Sequence, residues 1–306
     1  MQLSVSLSPA RPDGCPGRAL RIATAVERLG FDGVSMSGQV LEFPEGSSLD
    51  PLILLSAVAG ATERLRLLTS VLVLPVHPPV LLANQAATLD VLTGGRFTLG
   101  IGVGAGGAEC DAAGIASGDR GRRADEYLEA VRTLWTRRPA HFTGRFTEFH
   151  NARLGAEPLT PGGPPIWVGG RSSAALRRAL RFAEAWIGVG VGAGDLPRVR
   201  ARLSRLVNGT GRDPATLQLN SVYFVIPEGF TGTGFLEGRP LGGSAATPAR
   251  VAGDLDRLAE AGLGWADLIV PVEPDRLLDA VHWLAGEVVP RLEPRKDGED
   301  PAGHPV

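Results

Sequence analysis

Residues 62–107 constrain the fold more than any other part of the chain. They combine an apolar run at 65–73, a helical pattern at 79–92, a second apolar run at 97–103 and a glycine-rich loop. The first run is rich in leucine and valine without polar alternation, which is typical of a strand buried on both faces. We therefore predict a parallel sheet covered by helices, with the glycine-rich loop at an edge that holds a ligand.

The same alternation of strand and helix continues along the whole chain. Each predicted strand is followed by a helical pattern, and the predicted strands lie at 3–7, 33–37, 65–73, 97–103, 165–168, 185–189, 217–225 and 266–272. Eight such pairs favour an α/β fold of the TIM (β/α)8 barrel type over a doubly wound sheet.

Two segments interrupt this rhythm and are predicted to be insertions. Residues 137–163 follow the fourth unit and residues 227–247 follow the seventh strand, and both are rich in glycine, proline and polar residues. We predict a single barrel domain over residues 1–292 with these two insertion loops. Residues 293–306 are too polar and proline-rich to pack, and we expect them to be disordered.

Composition narrows the class of function. The net charge is −2 with both signs spread along the chain, so we expect no nucleic-acid or membrane partner and a small-molecule substrate. Cys15 and Cys110 are far apart and outside any metal-binding spacing, which argues against a disulfide framework or a metal site. The chain has neither a signal-like start nor an apolar stretch near 18 residues, so we expect a cytoplasmic protein.

The glycine-rich loop has two interpretations. Gly102, Gly104 and Gly107 match G-x-G-x-x-G after a predicted strand, the pattern of a dinucleotide-binding turn. The surrounding sequence does not support a dinucleotide-binding turn. The motif lies in the fourth strand–helix unit rather than the first, and no helix is predicted to begin at its third glycine. No acidic residue ends a strand about 20 positions later. The alternative is a flexible loop at the mouth of a barrel, where glycine lets the backbone approach a planar ligand.

A second glycine turn lies at residues 165–175. Gly169 and Gly170 follow a predicted strand, and Arg171, Ser172 and Ser173 begin a helix. Free N–H groups, hydroxyls and a cation at a helix start suit a phosphate group. An ordinary helix capped by Ser172 explains the same residues equally well. Downstream, Arg177, Arg178 and Arg181 recur at helical spacing and predict a solvated helix face.

Residues 62–104 and 165–187 resemble the luciferase-like monooxygenase superfamily of TIM-barrel flavin enzymes, which includes coenzyme F420-dependent oxidoreductases. Similar text recurs at 27–34 and 247–270. The resemblance implies coenzyme F420 or FMN as cofactor. It places Ser70 and Val71 at a bulge with a non-prolyl cis peptide bond behind the flavin ring. The remaining cofactor-binding residues that it implies are Gly102, Val103, Gly104, Ala105, Gly106, Gly169, Gly170, Arg171 and Ser172.

The proton-handling positions depart from the family pattern. F420-using relatives commonly have Ser-Asp-His after the second strand, whereas this chain has Ser37-Gly38-Gln39. An amide can orient a carbonyl group but cannot deliver a proton at neutral pH. The catalytic candidates that remain are Gln39, His77 and Glu109, although a solvated or structural role explains His77 as well.

The leading hypothesis is a flavin-type oxidoreductase that uses F420 or FMN for hydride transfer or monooxygenation of a small organic substrate. The lack of the family's usual proton-donating side chains fits oxygen insertion, or a substrate that takes its proton from water, better than the reaction of a standard F420 dehydrogenase. The alternative is a catalytically reduced relative that binds a cofactor or a partner, motivated by Gly38, Gln39 and Ala105. A Rossmann dehydrogenase is a third interpretation. Relatives often pair through helices beside the third strand, so we expect a homodimer.

Overall fold

The computed structural model of the protein describes residues 1–8, 17–41, 49–104, 107–207, 212–233 and 240–293. Two predicted cofactor residues, Ala105 and Gly106, lie outside this part of the chain, as does the predicted tail beyond Glu293. The strands in chain order are β1 (Gln2–Ser6), β2 (Gly33–Gly38), β3 (Arg66–Val73), β4 (Phe97–Gly102), β5 (Ala140–Thr143), β6 (Glu148–Ala152), β7 (Ile166–Gly169), β8 (Ala185–Val189), β9 (Gln218–Pro227), β10 (Leu241–Ala246) and β11 (Trp265–Ile269).

Eight of these strands form a closed parallel barrel. Their hydrogen-bonded order is β9, β11, β1, β2, β3, β4, β7 and β8, and β8 pairs with β9 to close the ring. Closure confirms the predicted TIM barrel. It also removes the Rossmann interpretation, which requires an open sheet with a crevice at its switch point.

The helices surround the barrel. They are α1 (Arg18–Arg28), α2 (Pro51–Ala59), α3 (Pro79–Thr93), α4 (Ala108–Ala112), α5 (Arg120–Thr136), α6 (Ser173–Phe182), α7 (Leu196–Leu206), α8 (Pro248–Glu260) and α9 (Leu277–Trp283), which continues into a π-helical turn at Leu284–Val288. Local side-chain and backbone chemistry determines where several helices begin or end. Asp50 caps α2 by accepting a hydrogen bond from the Ile53 N–H at 3.0 Å, and Gly94 ends α3 at a φ of 63°.

Local structure adds to the sequence expectations in three places. Helix α4 begins directly after Gly107, the third glycine of the motif, although it has only five residues. Residues 137–163 contain the antiparallel hairpin β5–β6, stabilised by stacked Phe142 and Phe149 rings with centroids 5.7 Å apart. Residues 227–247 contain β10, which pairs in parallel with β9. Its small residues carry no periodic apolar signal, so only backbone pairing reveals it.

Two apolar layers stabilise the fold. The outer layer lies between the strands and the helices, while the barrel interior is filled by Leu68, Trp167, Ala185, Ile187, Val222 and Trp265. The rings of Trp167 and Trp265 meet edge to face at 5.4 Å. None of the helices in the described residues is long and apolar enough to cross a membrane.

The predicted solvated arginine face is only partly exposed. Arg178 is 4% exposed, and its guanidinium donates to Asp125 at 2.6 Å and to the Gly121 carbonyl oxygen at 2.9 Å. These bonds tie α6 to α5. The prediction was wrong at this position because helical spacing alone does not show which neighbouring helix covers a residue.

Candidate cofactor site and active site

The end of β3 carries the backbone feature that the resemblance implies. The Ser70–Val71 peptide bond is cis, and the pairing of β3 with both neighbouring strands shifts register between Leu68 and Leu72. The Val71 side chain is half-buried and packs on the interior cluster together with Val189 and Ile269. The carboxyl ends of β3, β8 and β11 therefore form an apolar floor at the mouth where TIM-barrel active sites lie.

Glycines keep the surroundings of this floor free of side chains. A β carbon added at Gly102 would lie 2.9 Å from Val71 Cγ2, and one at Gly169 would lie 3.4 Å from both Val71 methyl groups. At Gly38 an added β carbon would lie 2.6 Å from Leu72 Cα and 3.0 Å from the Val71 carbonyl oxygen. Gly38, one of the departures from the family pattern, thus has a packing reason, because β3 backbone occupies the space of a side chain.

The loop after β4 begins at the edge of the same floor. Gly102 ends the strand, and Gly104 has a φ of 78°, a conformation that favours glycine. Val103 between them is half-buried. The structure thus describes three of the five loop residues predicted to bind the cofactor.

The turn after β7 is exposed at the mouth and is also a capped helix start. Gly170 has a φ of 118°, and Ser172 Oγ accepts a hydrogen bond from the Ala175 N–H at 3.1 Å. The exposed Arg171 side chain donates to the Val189 carbonyl oxygen at the end of β8. The capping interpretation is therefore observed. The Arg171 guanidinium and the other first-turn N–H groups of α6 lie beside the apolar floor.

The three catalytic candidates lie in the segments that follow β2, β3 and β4, with Glu109 in the short helix α4. The backbone N–H of Val40, next to Gln39, donates to Glu109 Oε1 at 2.6 Å. Burial lowers the pKa of His77, whereas the nearby carboxylates of Asp50 and Glu109 oppose this shift. His77 Nε2 is buried and has no hydrogen-bond partner within the described ranges. The arrangement places a buried imidazole nitrogen and a carboxylate held by a backbone N–H at one side of the mouth.

Sequence reasoning missed a buried carboxyl group inside the barrel. Asp267 lies in the middle of β11 and is 1% exposed. Burial raises its pKa, while hydrogen bonding by Ser4, Ser35 and Ser70 opposes the shift. An acidic residue within the otherwise apolar text WADLIV was the signal that could have revealed it.

Comparisons with known proteins agree with this geometry. The profile of the luciferase-like monooxygenase family matches residues 3–227. An uncharacterized protein of Mycobacterium tuberculosis is 37% identical over 172 residues, covering 56% of this chain and 59% of its own length. The 4-hydroxyprotoasukamycin monooxygenase of Streptomyces nodosus is 34% identical over 192 residues, covering 60% of this chain and 52% of its own length. The chain thus spans between half and three-fifths of the length of these curated relatives.

Solved structures share the fold over nearly the whole chain. An F420-dependent secondary alcohol dehydrogenase superposes with a TM-score of 0.78 at 18% identity, covering 96% of this chain and 99% of its own. The oxygenating component of 3,6-diketocamphane monooxygenase from Pseudomonas putida, in complex with FMN, gives 0.76 at 18% identity, covering 96% and 99%. Because the family profile covers well over half of the sequence, the chain belongs to the luciferase-like monooxygenase family.

Proposed function

We propose that this protein is a flavin-type oxidoreductase that binds FMN or coenzyme F420 at the mouth of the barrel and acts on a small organic substrate. One observation carries the proposal. Val71, at the cis peptide bond, lies in an apolar floor bordered by Gly102 and Gly169, where no side chain stands between backbone and ligand. A planar, largely apolar ring fits such a surface.

The turn after β7 supports a ligand that also carries a phosphate group. Gly170, Arg171 and Ser172 are exposed beside the floor, and the start of α6 adds a partial positive charge. We assign the ring to the floor of Val71, Val189 and Ile269, and the phosphate to this turn. When bound, such a cofactor supplies hydride transfer or, as reduced FMN, activation of molecular oxygen.

The side chains around the floor would orient the substrate more than they would donate protons. Gln39 can hold a carbonyl or amide through its side-chain amide. The Glu109 carboxylate is engaged by the Val40 N–H and holds the loops after β2 and β4 together. Burial lowers the pKa of His77, and its Nε2, which has no partner among the described residues, is the atom that would accept a proton.

The same residues bear on the type of reaction, and through it on the choice between F420 and FMN. Without an acidic or imidazole side chain at positions 38 and 39, a reaction that draws its proton from water or inserts oxygen is favoured over a standard F420 dehydrogenase. Two proteins of the same fold carry either F420 or FMN in their names, so the fold accommodates both.

Fluorescence titration of the purified protein with FMN and, separately, with F420 tests the proposal. We expect saturable binding of one of them, weakened in Arg171→Ala. Binding of neither would refute the enzyme interpretation and favour the alternative of a family member without catalysis, for which Gln39 is the specific observation. If one binds, turnover with candidate substrates under air and under argon separates oxygenation from hydride transfer.

We further propose that the protein is a homodimer. Helices α2 and α3 pack against each other and expose a set of large apolar side chains: Ile53, Val80, Leu81, Val91 and Leu92, which are 42–74% exposed. Several large exposed apolar side chains on two neighbouring helices are typical of a protein–protein interface. The cytoplasmic location expected from the sequence remains a prediction.

A further inference from the structure

A buried polar chain crosses the interior of the barrel below the cofactor floor. Trp265 Nε1 donates to Ser4 Oγ at 2.7 Å, and Ser4 Oγ donates to Asp267 Oδ1 at 2.7 Å. Ser4 and Asp267 are paired in register on β1 and β11. All three side chains are at most 1% exposed, so no solvent competes for these bonds.

The direction of these bonds follows from the chemistry of the groups. The indole N–H of Trp265 can only donate, so the hydroxyl oxygen of Ser4 accepts and its hydrogen points to Asp267 Oδ1. The second carboxyl oxygen of Asp267, Oδ2, takes no part in these two bonds. Ser35 and Ser70 face Asp267, and both oppose the rise of its pKa. In the part of the chain that the structure describes, Asp267 Oδ2, Ser35 Oγ and Ser70 Oγ are all buried and have no hydrogen-bond partner.

No charged group among the described residues lies against this carboxyl group. The groups that face it are Ser4 from β1, Ser35 from β2 and Ser70 from β3, and Val222 is its register partner on β9. None of these described neighbours is charged, and burial raises the pKa of Asp267. An uncharged carboxylic acid has one O–H donor, and with Oδ1 already accepting from Ser4 that donor belongs to Oδ2.

We propose that Asp267 is a positioning residue of the cofactor site, a neutral hydrogen-bond donor that holds the Ser70 hydroxyl and thereby the Ser70–Val71 peptide beneath the mouth. This assignment rests on the proposed function, since it treats that peptide as the floor for a cofactor. Ser70 is the connection, because it directly precedes Val71 of the floor and also faces Asp267. A charged Asp267 would instead place an unpaired anion directly below the floor.

The state of Asp267 is tested on the protein without cofactor. Asp267→Asn keeps one acceptor for Ser4 and one donor for Ser70, so it mimics the neutral acid. In the unfolded chain an aspartate ionises near pH 3.9. If Asp267 keeps its proton when folded, the folded state holds one proton more above that pH, and wild-type stability falls as pH rises. We expect the wild-type folding constant to fall about tenfold per pH unit relative to D267N from roughly pH 5 upward, until the folded carboxyl group itself ionises.

Urea unfolding of the wild type and D267N at several pH values in this range measures the two folding constants. Parallel pH profiles would show that Asp267 is ionised in the folded protein and would overturn the proposal. Because this measurement uses no cofactor, it stands whether or not the proposed function does.

The positioning role is tested by ligand binding at neutral pH. We expect Ser70→Ala to raise the Kd for FMN or F420, whichever the wild type binds, about tenfold, as expected for the loss of one buried hydrogen bond. The Kd of D267N for the same cofactor should lie within about twofold of the wild-type value, because the side-chain amide of asparagine replaces the O–H donor of the neutral acid. Thr98→Val is the matched control, since Thr98 Oγ1 is another buried hydroxyl without a partner among the described residues, on β4. Equal losses in S70A and T98V would overturn the role.

Discussion

Gly102 provides the sharpest test of the floor around Val71. In Gly102→Ala the new methyl group would lie 2.9 Å from Val71 Cγ2, whereas apolar carbons pack at about 3.5–4.0 Å. One of the two groups must therefore move by up to about 1 Å, and overpacking of this kind costs about 1–3 kcal/mol. Below Val71 the interior is filled by Leu68 and Trp167, so the open direction for Val71 is the mouth.

This geometry predicts where the cost appears. A Val71 side chain displaced into the mouth occupies space that the cofactor needs, so we expect the Kd for the cofactor to rise by about 5- to 150-fold, the equivalent of 1–3 kcal/mol. Fluorescence titration measures the Kd, and urea unfolding of the protein without ligand measures the part of the cost borne by the fold. Gly118→Ala is the control, because an added β carbon there meets nothing within 4 Å.

A double-mutant cycle decides the cause. Val71→Ala removes the methyl group that collides, so the V71A/G102A protein should bind the cofactor more tightly than G102A alone, with a coupling energy of about 1 kcal/mol or more. The reasoning is refuted if G102A binds as tightly as wild type, or if the second substitution gives no recovery.

Three further predictions concern other parts of the site and surface. Arg171→Ala should weaken FMN binding about tenfold and leave the binding of riboflavin, which has no phosphate, unchanged. Equal losses of affinity for both ligands would contradict the phosphate assignment. The same loss in Arg177→Ala, on the exposed face of α6, would contradict it too. Because burial lowers the pKa of His77, its contribution to stability is present above about pH 6.5 and is lost as pH falls through the lower folded pKa. His77→Gln should therefore lose less unfolding free energy than wild type between about pH 7.5 and 5, and an unchanged difference in urea melts would contradict this. Ile53→Glu should convert the dimer to a monomer in light scattering, whereas Arg198→Glu on α7 should not; a wild-type monomer would refute the dimer.

The barrel itself could be predicted from the sequence, because its signals are local. Unbroken apolar runs such as 65–73 predict buried strands, and Asp50 followed by Pro51 predicts the start of α2. These features depend on residues within one or two turns of each other. The cis bond at Ser70–Val71 was predictable only through the family resemblance, since nothing in the text LLTSVLV indicates it.

The content of the site depended on the tertiary structure. Gly38 looked like a lost catalytic residue until β3 backbone was found in the space of its side chain, and Glu109 is engaged by the loop after β2, 69 positions earlier. Ser4 and Asp267 are 263 positions apart and meet because the barrel closes between β1 and β11 in that register. Sequence periodicity reports whether a residue is buried, but the partners that make a buried polar group tolerable come from other strands. For this chain the sequence alone therefore determined a barrel with a glycine-bordered floor, and only closure of the sheet decided which polar groups lie beneath it.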